Sequence, residues 1–105
     1  MKVLGPDTFV ANGSGPWRQA PDLGVILTLT GVVTGTGAVT TTLQLEGSND
    51  GVNAFPVGAT LALSGASPQS GSAVRVQFSF AMYRVTASNV TGTGASCVAS
   101  TGVSS

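Results

Sequence analysis

From Val39 to Glu46 the chain reads VTTTLQLE, and its side chains fall into two alternating sets. Val39, Thr41, Leu43 and Leu45 share one face, while Thr40, Thr42, Gln44 and Glu46 share the other. Successive residues of a strand point to opposite sides, so this alternation predicts a strand with one face buried. The segment VRVQFSF repeats the pattern, with Val74, Val76, Phe78 and Phe80 opposed to Arg75, Gln77 and Ser79. In LGVILTLT, Leu23, Val25, Leu27 and Leu29 lie opposite Thr28 and Thr30. All three read as strands of an antiparallel sheet with one dry face and one wet one.

Weaker strand patterns cover Thr8 to Ala11, Ala54 to Val57, Thr60 to Leu63, Tyr83 to Asn89 and Ala95 to Thr101. No dozen-residue window carries a helical stripe, and the Gly and β-branched content disfavours a helix. The expected fold is all-β, an antiparallel β-sandwich or jelly-roll-like barrel of about seven or eight short strands.

The phrase VTGTGA occurs twice, at Val33–Ala38 and at Val90–Ala95, each time between two strand patterns. Glycine tolerates positive φ, so both copies are expected to turn hairpins. A phosphate-cradling loop would need a following helix or a GxxxxGK lysine, and neither copy has one. EGSNDGVN holds Asn49, Asp50 and Gly51, a strong turn sequence. Glu46, Asn49, Asp50 and Asn53 offer oxygens, but their spacing departs from a calcium loop and supplies two carboxylates, so a plain turn is expected and no metal. SGASPQSGS, residues 64–72, reads as a flexible polar loop.

Composition changes the picture in two ways. At 105 residues the chain suits a single domain spanning 1–105, with 1–16 a candidate N-terminal arm. Its charge is unusually low: 8% charged residues, four basic and four acidic, against roughly a quarter in ordinary soluble domains. Lys2, Arg18, Arg75 and Arg84 are scattered, so nucleic acid is not an expected partner. MKVLGPDTF lacks the apolar core of a signal peptide, and the longest run of large apolar residues, Val25 to Leu27, is far short of a membrane span. A near-neutral, charge-poor surface offers little protection against association, which suits a protein packed against copies of itself or a partner.

Catalytic chemistry is hard to assemble from these residues. The chain has no His, and its single Cys97 lacks a partner that would lower its pKa; it reads as a small buried apolar side chain. Asp7, Asp22, Glu46 and Asp50 sit at strand ends or turns with no spacing that pairs them. No enzyme activity, catalytic residue or cofactor is expected. The candidate partner contacts are Trp17 and Arg18 in SGPWRQAP, and Tyr83 and Arg84 beside a strand start. Trp17 is either a lid on the open end of the core or an exposed contact.

LQLEGSNDGVNAF, with the upstream LGVILTLTGVVTGTGAVTTT and the downstream YRVTASNVTGTGASCVAS, resembles small structural proteins of tailed-phage virions. The resemblance covers about residues 17 to 101 and rests on the combination of phrases. It implies a non-enzymatic virion component, made in the bacterial host cytoplasm and placed on the capsid surface. The expected role is that of a capsid decoration (cement) protein, a homo-oligomer such as a trimer, bound to the major capsid protein and stabilising the head. The alternative is a tail- or fibre-associated, or cell-surface, glycan-binding β-sandwich with Trp17 and Tyr83 as its aromatic contacts.

Overall fold

The structure is a computed structural model that describes residues 2–19, 25–78 and 80–104. Among the described residues it is all-β, with seven strands: β1 Lys2–Phe9, β2 Gly13–Ser14, β3 Arg18–Gln19, β4 Val25–Ser48, β5 Phe55–Ala66, β6 Gln69–Phe78 and β7 Met82–Ser104. Every pairing is antiparallel. Asp22, Leu23 and Ser79 lie outside the described residues, as do the side chains of Val25, Val74, Arg75, Val76 and Gln77.

Two strands are not short. At about 3.3 Å per residue a straight strand of β4's length would span about 80 Å. The longest dimension of the molecule is 41 Å. β4 therefore has to fold back on itself, and β7, 23 residues long and paired with it from end to end, folds with it.

The fold-back lies at the repeated phrase. Both VTGTGA copies run inside strands, so the expected hairpin turns are not there; instead the two copies cross each other, Thr36 opposite Thr93. Register shifts surround that pair, between Thr34 and Thr36, Thr36 and Thr40, and Thr40 and Thr42. Bulges of this kind bend and twist a strand. Gly37 and its counterpart Gly94 take φ of +74° and +62°, and Gly92 takes +121° where its counterpart Gly35 stays negative or extended. Gly35 and Gly92 instead make close approaches: a Cβ on Gly35 would stand 3.0 Å from the Thr93 carbonyl oxygen, and one on Gly92 would stand 2.8 Å from that of Ala38. The same phrase is written twice because each strand needs it to pass the other at the corner.

The flanking strands turn this corner too. The 64–72 stretch, expected as a flexible loop, is mostly strand: β5 runs to Ala66, β6 starts at Gln69, and a cis Ser67–Pro68 bond joins them. Ser67 docks on the β4 corner, its N–H donating to the Gly37 carbonyl at 2.9 Å and its Oγ accepting from the Gly35 N–H at 3.0 Å. On the other side, the segment expected as an N-terminal arm is built into the sheet. β1 pairs with β7 from Lys2↔Val103 to Phe9↔Cys97, β2 pairs with Ala87 and Thr86, and the Val90 N–H donates to Asn12 Oδ1 at 2.9 Å.

The sheet thus has two halves that share β4 and β7. One runs β6, β4, β7, β1; the other runs β5, β4, β7, then β2 and β3. Their inner side chains meet in a single core, built from Leu27, Leu29 and Val33 of one half and Val39, Leu43, Leu45, Leu61 and Leu63 of the other, with Phe78, Tyr83 and Val85. At Gly31 the contact is so close that an added Cβ would lie 2.7 Å from Leu43 Cδ1. The alternation read at Val39 to Glu46 holds residue by residue, with Val39, Thr41, Leu43 and Leu45 all buried. Cys97 is buried and free, as its apolar setting implied.

Candidate functional site

Charges are scarce, and the structure concentrates them around the segment 13–19, where it crosses the start of β7. Gly15 donates its N–H to the Val85 carbonyl at 2.8 Å, and β3 pairs Arg18 with Tyr83 and Gln19 with Met82. This brings all four candidate contact residues, Trp17, Arg18, Tyr83 and Arg84, into one neighbourhood and gives each a different job.

Alternation along β7 sends Tyr83, Val85 and Ala87 inward and Arg84 and Thr86 outward. Glu46 stands opposite Arg84 on β4. Arg84 Nε donates to Glu46 Oε1 at 2.8 Å, and the Thr86 hydroxyl donates to the same oxygen. Ser14 Oγ lies 3.0 Å from Thr86 Oγ1. The Arg84 guanidinium also covers the Trp17 ring, its Cζ 4.4 Å from the ring centroid, a cation–π contact. Trp17 is half-buried, with one face of its ring covered by the arginine.

Arg18 faces the other way. Its two terminal nitrogens donate to Asp7 Oδ2 and Oδ1 at 2.7 and 2.6 Å, a bidentate pair. Asp7 belongs to β1 in one half of the sheet and Arg18 to β3 in the other, so the pair clamps the halves together along this edge. The hydrogen bonds to Asp7 raise the pKa of Arg18, keeping it charged.

Tyr83 cannot serve as an outward contact: it is 1% exposed, its ring meeting Phe78 edge-on at 6.3 Å. Among the described residues its hydroxyl is buried without a hydrogen-bond partner, and burial raises its pKa, with the Arg18 charge opposing. Burial likewise pushes the Cys97 thiol up, the neighbouring Thr41 hydroxyl working against it. A neutral thiol enclosed in this way is a poor nucleophile.

The turn after β4 closes on itself. Asp50 Oδ1 accepts from the N–H groups of Val52 and Asn53, both at 2.8 Å, and from Ser48 Oγ; Oδ2 accepts from Asn53 Nδ2. These bonds hold the Asp50 carboxyl well below the usual aspartate range. Asn49 Oδ1 accepts from the Ala81 N–H at 2.9 Å, tying this turn to the next one. With Glu46 held by Arg84 and Thr86 and Asp50 by its own turn, the two carboxylates are engaged in separate structural roles. Among the described residues no group of three or more His, Cys, Asp or Glu is placed to hold a metal ion.

An apolar tip adjoins this turn, and the sequence reading missed it. Val52 and Phe55 are 79% and 52% exposed. Phe55 stacks on Phe80 at 5.9 Å, and Phe80 in turn meets the buried Phe78 at 5.7 Å. Phe80 lies across Gly47, where a side chain would collide with its ring. The pairing of Phe55 with Phe80 links two loops distant in sequence, and no local period announces it.

Compared with known protein families and with curated proteins, the chain matches none of them.

Proposed function

We propose that the two half-sheets are the two layers of a jelly roll, and that the chain is a non-enzymatic structural protein of a tailed-phage virion. The observation that carries this reading is the order of strand pairing. Counted in chain order as eight strands, with each long strand split at its corner and β2 and β3 taken as one, the halves run 1-8-3-6 and 2-7-4-5. That is the winding of a jelly roll, an architecture used by viral capsid and lectin domains.

The surface argues for the capsid over the lectin. The glycan reading wanted two exposed rings; Tyr83 is in the core and the face of Trp17 lies under Arg84. What is left outside is mostly Ser, Thr, Ala and Val, side chains that cost little entropy to order over a broad contact. We therefore infer a decoration (cement) protein: a homo-oligomer on the outer capsid surface, bound to the major capsid protein and bracing the head. Many modest contacts, repeated over a lattice, give firm attachment.

Sedimenting an infected-cell lysate through a density gradient and locating the polypeptide by mass spectrometry tests the reading. Co-migration with heads stripped of tails supports decoration. Recovery with tails alone moves the protein to the tail or fibre, and recovery only in the light fractions overturns the virion role.

A further inference from the structure

The two outer edges of the sheet are built differently. Along one, β1 is bulged between Leu4 and Asp7, the chain leaves the ladder after Phe9, and β2 and β3 are two residues each. Lys2, Asp7 and Arg18 lie on this edge. Short strands, bulges and charges are the means by which sheets avoid pairing with their neighbours.

The opposite edge is β5 and β6, separated by Ser67 and Pro68 alone. Its one charged residue is Arg75, towards the end of β6, and β5 has none. Its first part is bulged near Gly58, where the Gln44 side-chain amide donates to the Val57 and Gly58 carbonyls. From Leu61 to Ala66 the register against β4 is unbroken, Leu61 opposite Leu43 through to Ala66 opposite Ala38. Here Leu61 and Leu63 turn into the core, while the exposed residues Ala62, Ser64 and Ala66 are all small. Among the described residues β4 is the only ladder partner of β5, so one side of this run offers its backbone outward.

We propose that residues 61–66 of β5 form a self-association edge, pairing antiparallel with the same run of a second copy of this chain. A second copy is the fitting occupant for three reasons. An edge that pairs antiparallel about a two-fold axis is its own complement. The formal net charge of zero removes long-range repulsion between copies. Side chains as small as Ala62 and Ser64 can stand directly opposite their counterparts without a clash, whereas a foreign partner would be selected by charge that the 61–66 run lacks. The inference rests on the homo-oligomer part of the proposed function and names its interface.

The test is sedimentation equilibrium of the purified full chain over a wide concentration range, with hydrogen exchange on the same samples. The wild type is expected to reach twice the 10.3 kDa chain mass, with amides of 61–66 gaining protection as concentration rises. Ala62→Lys combined with Ser64→Lys places like charges across the pair and is expected to abolish the dimer while leaving the dilute thermal midpoint unchanged. Val32→Lys with Val98→Lys, on the outer face of the other half, should leave the mass as it was. A wild type that stays monomeric, protection that ignores concentration, or dissociation by the face variant but not the edge variant overturns the proposal. Binding to shells is scored separately: a monomer that binds shells removes this edge and keeps the virion role, while a dimer that ignores them does the reverse.

Discussion

The two half-sheets share two strands and one core, yet their outer faces have little in common. One face carries Trp17, Arg84, Glu46, Thr86 and Ser14, joined by a cation–π contact and hydrogen bonds. The other carries, on β4 and β7, Ile26, Thr28, Thr30, Val32, Ser96, Val98 and Ser100, and Arg75 of β6 stands in register with Thr28. Val32 and Val98 are paired in register there and are 44% and 38% exposed. Burial fixes the inner faces of both halves alike, so the difference outside is free to reflect use. The polar face uses its charges to hold segment 13–19 in place, while β4 and β7 on the other face carry small and β-branched side chains.

The most damaging way to break this comparison is to attack what the halves share. Phe78→Ala empties a fully buried site between them and should cost about 3–5 kcal/mol, with hydrogen exchange showing β1 and β5 losing protection together. Exchange that opened one half and spared the other would contradict a common core. The corner comes next. Gly92→Ala meets the Ala38 carbonyl and should cost about 1–3 kcal/mol in denaturant unfolding, more than Gly94→Ala, which has open space and carries only its positive-φ strain of roughly 1 kcal/mol.

The clamp is a smaller effect. Asp7→Asn leaves Arg18 half-buried without its charged partner and should cost about 1–2 kcal/mol, discounted from the fully buried case because Arg18 keeps contact with water. Glu46→Gln on the outer face should cost less, about 0.5–1 kcal/mol, and weaken further in high salt. The last prediction is a pH dependence. The Asp50 pKa is depressed in the folded state, so its stabilising contribution is complete above the ordinary aspartate value of 3.8 and is lost progressively as pH falls from there towards the lower folded-state value. Asp50→Asn should lower the thermal midpoint at neutral pH and flatten the acid limb of its pH profile, variant and wild type converging as pH falls well below about 4.

Much of the core was written in period two. Val39 to Glu46 displays its inward and outward sets openly because one face is dry and the other wet over eight successive residues. The corner was not legible, because glycine at positive φ serves a hairpin and a bulged bend equally well; only the partner strand decides between them. β1 was hidden for a similar reason: Gly5 and Pro6 read as a break, yet an edge strand accommodates both at a bulge. Of the candidate contacts, Tyr83 packs inward, alternating with Arg84 and sharing its face with Val85 and Ala87. The Asp7–Arg18 clamp did leave a trace in the sequence. In a chain with four acidic and four basic residues, an Asp and an Arg flanking one short segment are natural partners.

The way β4 and β7 run through both halves has a mechanical side. A layered protein whose layers are joined only by loops can be peeled apart, one layer drawn off the other through a slack connection. Here a pull on either outer face passes into two covalent backbones that continue without interruption into the opposite half. Those backbones are laced to each other along their length, from Ile26↔Ser104 to Ser48↔Met82, so load along them meets many hydrogen bonds in shear at once. Separating the halves therefore requires breaking backbone pairing of β4 with β7 and cannot proceed by slipping a loop.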